Sequence, residues 1–130
     1  MRTLGIDYGR RKIGLAISVA KIAEPLMVIV TKSEKEAIGR IIRVVKEEKI
    51  ERVVVGISEG EMAKESKAFS LKLEAMVNIP VEMFDETLST LEAQELSKKT
   101  GIGRDKRKRL EDAFAACVML QSYLEQETDV

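Results

Sequence analysis

Acidic side chains stand at three points where apolar, strand-like runs of the sequence end. Asp7 closes the first run, Glu59 follows the run VVVG at 53–56, and Asp85 and Glu86 come at the end of a later run. Because the carboxyl ends of parallel strands open on one edge of an α/β sheet, we expect these residues to lie near one another. A tight turn that uses Asp7 for backbone reasons alone remains an alternative.

A further carboxylate, Asp112, opens the apolar run AFAACVML at 113–120. A run that is apolar all round predicts a deeply buried helix. Ala115 and Ala116 lie three and four residues after Asp112, so small side chains would let this helix lie close to the sheet. Asp112 would then be carried towards the strand ends. The alternative is an acidic residue that merely favours the start of a helix.

Carboxylates that converge without lysine partners repel one another, and a divalent cation relieves that repulsion. Carboxylate oxygens with water are the ligand set of Mg²⁺ or Mn²⁺. Such ions can hold the attacking and leaving oxygens during phosphodiester hydrolysis. The sequence has no histidine and one cysteine, Cys117, which excludes imidazole chemistry, an internal disulfide and a zinc site of several cysteines.

The segment 98–109 is strongly basic although the whole chain has 22 basic and 22 acidic residues and no net charge. It immediately precedes Asp112, which predicts a contact to the nucleic-acid backbone beside the carboxylates. A solvated loop is the alternative. The residues proposed to form one positive rim are Arg10, Arg11, Lys12, Arg104, Lys106, Arg107, Lys108 and Arg109.

The apolar periodicity predicts elements that could position these side chains. Strands are expected at 2–7, 13–19, 26–31, 53–56 and 80–84, and helices at 33–48, 62–77, about 87–99 and 108–126. The second helix should turn Phe69, Leu73, Met76 and Val77 inward. This order predicts one α/β domain over residues 1–130, with a five-stranded mixed sheet covered by helices on both faces. The first three strands should be antiparallel, followed by parallel crossovers.

The chain runs from Met1 directly into a strand pattern, so we expect no targeting segment. No apolar run approaches the roughly 18 residues that span a bilayer. We therefore expect a cytoplasmic protein with no membrane partner.

Four motifs together resemble the YqgF (RuvX) family, which has the ribonuclease H-like fold. They are GIDYGRRKIGLA at 5–16, VVVG at 53–56, DETLST at 85–90 and DAFAACVMLQSYL at 112–124. The resemblance implies a metal-dependent nuclease that trims the 5′ end of pre-16S rRNA during ribosome maturation or resolves Holliday junctions. It also implies that Asp7, Glu86 with the adjacent Asp85, and Asp112 are the catalytic and metal-binding carboxylates.

Two positions depart from the family pattern. The loop at 57–61 reads ISEGE in place of a Pro-x-Asn type loop, and Thr87 stands where arginine is common. Resolvases of this fold place a glutamate near this loop, so Glu59 could be a metal ligand or simply exposed. Tyr8 could lie at the site or pack in the core.

Three matters stay open at this stage. The altered loop at 57–61 is compatible with a protein of the same fold that binds nucleic acid during ribosome assembly but does not cleave it. An actin-like phosphotransfer domain would need a second domain that 130 residues do not supply. The choice between precursor rRNA and branched DNA, and between a monomer and a homodimer, is not determined by the sequence.

Overall fold

The computed structural model describes residues 1–86 and 110–128. In these residues the chain forms five strands and three helices: β1 (Thr3–Asp7), β2 (Lys12–Ser18), β3 (Ala23–Val30), α1 (Glu34–Glu47), β4 (Arg52–Ile57), α2 (Glu61–Met76), β5 (Val81–Asp85) and α3 (Glu111–Thr128). The predicted helix at about 87–99 and the basic segment 98–109 lie outside the described residues.

The strands form one mixed sheet in the order β3-β2-β1-β4-β5. Strand β1 pairs antiparallel with β2 and parallel with β4, while β3 joins β2 antiparallel and β5 joins β4 parallel. The predicted fold class is confirmed: an antiparallel hairpin and meander is followed by parallel crossovers. The carboxyl ends of β1, β4 and β5 consequently open on the same edge.

The sheet separates two apolar layers, because successive side chains of a strand point to opposite faces. Leu4, Ile6 and Val53 are fully buried on the face covered by α1 and α2, where they pack with Phe69. Val54 packs on the other face against α3. Burial on both faces explains why the β4 sequence is a continuous apolar run.

Small residues on the second face allow α3 to lie close to the sheet. A Cβ on Gly5 would lie 2.9 Å from the Cβ of Leu120. Gln121 fixes the helix to the β2–β3 turn, since its amide accepts from the backbone N–H of Ala23 at 2.8 Å and donates to the carbonyl of Lys21 at 3.0 Å. The expected close contact between this helix and the sheet is confirmed.

Helix α1 begins as predicted. The side chain of Ser33 accepts a hydrogen bond from the backbone N–H of Glu36 at 3.3 Å, which satisfies a free donor of the first turn. The carboxylate of Glu36 accepts from the hydroxyl of Thr31 at 3.2 Å.

Two predictions of burial were wrong. Met76 is 60% exposed because it is the last residue of α2 and has no element over it among the described residues. Ala115 is exposed, so α3 is not buried all round, although Ala113, Ala116 and Cys117 are. Within residues 1–86 and 110–128, no helix combines the length and apolar character needed to cross a membrane.

Candidate active site

Asp7 lies between two glycines in the sheet. In the strand register it is paired with Gly14 of β2 on one side and with Gly56 of β4 on the other. Side chains of neighbours in such a row point to the same face. The missing side chains of Gly14 and Gly56 therefore leave space on both sides of the Asp7 carboxyl group, on the face covered by α3.

Glu86 fills the space above Gly56. It is the residue directly after β5, and a Cβ on Gly56 would lie 2.4 Å from its Oε1 and 2.8 Å from its Cγ. The carboxyl groups of Glu86 and Asp7 share a hydrogen bond. Glycine at position 56 therefore leaves room for these two carboxyl groups to meet, since a side chain there would occupy the place that Glu86 takes beside Asp7.

Asp112 lies above the other glycine. A Cβ on Gly14 would lie 1.9 Å from the carbonyl oxygen of Asp112, far inside van der Waals contact. The first turn of α3 therefore rests directly on the backbone of β2. The carboxylate of Asp112, which is half-buried, is close enough for its charge to raise the pKa of Asp7.

The electrostatics of this row hold a proton on Asp7 at neutral pH. Burial is the largest influence, followed by the hydrogen bond that the protonated Asp7 donates to the carboxylate of Glu86 and then by the charges of Glu86 and Asp112, and together they raise the pKa of Asp7 to about 8. Two neighbouring carboxylates disfavour the ionised form of a carboxyl group, and a cation bound beside it favours that form. The donor set thus has the chemistry that Mg²⁺ or Mn²⁺ prefers.

The three carboxylates do not form a complete metal-binding site in the structure as it stands. Among the described residues, no three acidic, histidine or cysteine side chains surround one point closely enough to hold an ion as they stand. The close pair is Asp7 with Glu86, and Asp112 stands beside it. A cation that bound all three would draw the Asp112 carboxylate towards the pair.

Comparisons with known proteins identify the family of the chain. A family model described as "RuvX: Holliday junction resolvase" matches residues 1–126. The chain belongs to the RuvX family. A relative from Anaeromyxobacter sp. (strain K) is 36% identical over 97% of this chain and 98% of its own length. Another from Chloroflexus aggregans is 40% identical over 94% of this chain and 92% of its own length. Both carry the name "Putative pre-16S rRNA nuclease".

Solved structures show the same fold. The fowlpox virus resolvase in complex with Holliday junction DNA has a TM-score of 0.65 and 16% identity, covering 98% of this chain and 99% of the viral chain. RuvC of Thermus thermophilus in complex with a Holliday junction has a TM-score of 0.61 and 19% identity, covering 98% and 97%. The RuvX-family chain therefore has the ribonuclease H-like fold that its motifs predict.

The structure does not bring Asp85 or Glu59 of this RuvX-family chain to the row. Asp85 is paired with Ile57, whose side chain belongs to the core under α1 and α2, so strand alternation places Asp85 on the face opposite Asp7. Glu59 is exposed and lines a separate depression of about 340 Å³ together with Asp85 and Lys67. The alternative in which Glu59 is an exposed loop residue agrees with this position.

The first part of the predicted basic rim is exposed at the β1–β2 turn. Arg11 and Lys12 are exposed, whereas the guanidinium of Arg10 forms an ion pair with Glu65 at 2.9 Å, which raises its pKa. The predicted contacts Arg104, Lys106, Arg107, Lys108 and Arg109 lie outside the described residues. Tyr8 packs against the ring of Phe69 with centroids 4.6 Å apart, which corresponds to the packing alternative.

Sequence reasoning missed the two glycines that make the site possible. Gly14 and Gly56 lie inside runs that predict strands, where glycine is unfavourable unless another group approaches the backbone closely. Glycine inside a predicted strand was therefore the feature of the sequence that indicated a close approach of another group. Strand register was also needed to see that both glycines flank Asp7.

Proposed function

We propose that this RuvX-family protein is a divalent-metal-dependent nuclease that hydrolyses phosphodiester bonds in the 5′-end processing of pre-16S rRNA. The observation that carries the proposal is the row formed by Asp7 with Gly14 and Gly56, over which Glu86 and Asp112 converge. The names of the full-length relatives support the choice of substrate.

Three carboxylates would hold Mg²⁺ or Mn²⁺, namely Asp7, Glu86 and Asp112. When bound, such an ion supplies stabilisation of the negative charge that develops on the phosphoryl oxygens. Asp7 would give up the proton that it holds beside Glu86, so both carboxylates become available as ligands. Gly56 keeps Glu86 within reach of Asp7, and Gly14 keeps the start of α3 against the same row.

The proposed partner is nucleic acid, with precursor rRNA bringing the protein to the maturing ribosome in the cytoplasm. The description of the matching family model favours a second candidate, a resolvase of four-way DNA junctions. A resolvase must cut two strands and would act as a homodimer, whereas an enzyme that trims one RNA end can act as a monomer.

The test is a magnesium-dependent digest of precursor 16S rRNA and of a four-way DNA junction, side by side. Cleavage of the rRNA at its 5′ end supports the proposal, and paired nicks in the junction alone support the resolvase. Salt-sensitive binding without products on either substrate would instead indicate an assembly factor.

Two matched pairs of variants test the residue roles. Asp7→Asn and Glu86→Gln remove carboxylates of the row, and we expect each to lower the cleavage rate by about 100-fold or more. Asp85→Asn and Glu59→Gln neutralise nearby carboxylates that lie away from the row, and we expect cleavage within a few-fold of the wild type. Equal losses in both pairs would contradict the assignment.

A further inference from the structure

We propose that Gln121 is a positioning residue of the metal site: it fixes α3 along β2 so that Asp112 stands beside the other two carboxylates of the row. The inference rests on the proposed function, because it takes Asp112 to be a metal ligand. Gln121 is not a ligand itself, since its side chain is bound at the β2–β3 turn, away from the row.

The amide group of Gln121 uses both its oxygen and its nitrogen to hold this turn. Its oxygen accepts from the backbone N–H of Ala23 at 2.8 Å, and its nitrogen donates to the carbonyl oxygen of Lys21 at 3.0 Å. The thiol of Cys117, one turn earlier in α3, donates to the carbonyl oxygen of Ala23 at 3.3 Å. Gln121 and Ala23 are 3% and 2% exposed, so the hydrogen bond between them is shielded from water.

The spacing along α3 matches the length of β2. Asp112 lies over Gly14, near the start of β2. Ala23, to which Gln121 is bound, is paired with Ser18 at the end of β2. The rise of a helix from position 112 to position 121 is about 13.5 Å, and a strand extends about 13 Å from position 14 to position 18. The helix therefore runs alongside β2, and the amide that fixes one end determines where the other end lies.

Apolar packing alone leaves the position of α3 along the sheet poorly determined. The contact of Leu120 over Gly5 sets the distance between helix and sheet. Apolar contact is non-directional, and small side chains form much of the inner face of the helix, namely Ala113, Ala116 and Cys117. A hydrogen bond depends on distance and direction, and a buried donor that loses its partner is unfavourable. Gln121 therefore selects one position of the helix among several that would bury similar side chains.

The metal site depends on this position because its ligands must reach one ion. Among the described residues the carboxylates do not yet surround one point, so Asp112 has to complete the site by a movement of its side chain. A helix displaced by one residue moves about 1.5 Å along its axis and turns by about 100°. Because oxygens bind Mg²⁺ at about 2.0–2.1 Å, that displacement would carry Asp112 out of reach.

Arg52 forms another polar contact with α3, nearer to the end of the helix. Its guanidinium donates to the hydroxyl of Tyr123 at 3.1 Å and is paired with Glu127 at 2.9 Å. The side chain of Glu127 is 45% exposed, and ion pairs in water contribute little. Loss of this ion pair should therefore leave the start of the helix in place, which makes Glu127→Gln a control on the same helix.

A double-mutant cycle on manganese affinity tests whether Gln121 acts through Asp112. Gln121→Met keeps the approximate size of the side chain and loses both hydrogen bonds. It is made in the wild type and in Asp112→Asn, and the dissociation constant of Mn²⁺ is measured by electron paramagnetic resonance without nucleic acid. The controls are Glu127→Gln and Leu73→Ala, which weakens the core on the opposite face of the sheet. Urea unfolding verifies that each variant is folded.

We expect Gln121→Met to weaken Mn²⁺ binding about tenfold in the wild type and less than about twofold in Asp112→Asn. Both controls should keep the affinity of the wild type. An equal loss in the two backgrounds, or an equal loss in Leu73→Ala, would overturn the positioning role. If Gln121→Met does not fold, Gln121→Asn, whose amide is shorter by one methylene, takes its place in the same cycle with the same criteria.

The cycle also separates this inference from the proposed function. If the wild type does not bind Mn²⁺, or if Asp112→Asn binds it equally well, the proposed metal site fails and the role of Gln121 fails with it. If Asp112→Asn loses affinity while Gln121→Met does not, only the positioning role fails.

Discussion

The proton held by Asp7 leads to a prediction about the stability of the metal-free protein. The pKa of this carboxyl is 3.8 in an unfolded chain and about 8 in the fold. Between these values the folded state binds a proton that the unfolded state has lost. The free energy of unfolding must therefore fall as the pH rises through this window.

The size of the effect follows from the shift. Each pKa unit corresponds to about 1.4 kcal/mol. If Asp7 were fully shielded from water, the rise from pH 5 to pH 8 would therefore lower the free energy of unfolding by about 4 kcal/mol. Asp7 is only half-buried and water screens part of the interaction, so we expect about 2 kcal/mol. The variant Asp7→Asn keeps the size of the side chain, carries no titrating group and should lack this loss.

Urea unfolding of both proteins in EDTA, at about pH 5 and about pH 8.5, measures the difference. We expect the free energy of unfolding of the wild type to fall by about 2 kcal/mol more than that of Asp7→Asn when the pH is raised. Addition of magnesium at the higher pH should restore the free energy of unfolding of the wild type and leave that of the variant unchanged. Parallel pH profiles for the two proteins would refute the reasoning, since they would show that Asp7 titrates normally in the fold.

The remaining predictions concern glycines. Gly56→Ala should displace the carboxylate of Glu86 and lower cleavage by about 100-fold in single-turnover assays, and unchanged cleavage would contradict the contact. Gly14→Ala forces the start of α3 away at Asp112, and we expect a loss of about 1–3 kcal/mol in urea unfolding together with lost cleavage. Gly39→Ala is the control, because nothing lies within 4 Å of its added Cβ. Because alanine favours a helix more than glycine does, Gly39→Ala in α1 should raise the free energy of unfolding by about 0.5–1 kcal/mol and keep full cleavage. A loss of cleavage in this variant would mean that the losses at Gly14 and Gly56 do not report on the site.

The sequence predicted those features that depend on local patterns. Alternation of apolar residues located β1 and β2, the run of valines located β4, and the helical periodicity at 33–48 located α1. The sites of Asp7 and Glu86 at strand ends followed from these elements, because the ends of parallel strands share one edge of the sheet.

Features that depend on register could not be predicted in this way. A shift of one residue moves a side chain to the opposite face, and this alternation separates Asp85 from Glu86 although they are adjacent in the chain. The hydrogen bond between Asp7 and Glu86 joins residues 79 positions apart and depends on the close approach that Gly56 permits. The exposure of Met76 and Ala115 likewise depends on which elements cover a helix, which periodicity does not report.

The most direct test of the account is the position of manganese in crystals soaked with that ion, located from its anomalous scattering. We predict a peak over the Asp7 row with oxygens of Asp7, Glu86 and Asp112 at about 2.1 Å, the range of a small hard cation. A peak held by Glu59 or Asp85, or no peak at the row in a protein that cleaves RNA with manganese, would contradict it.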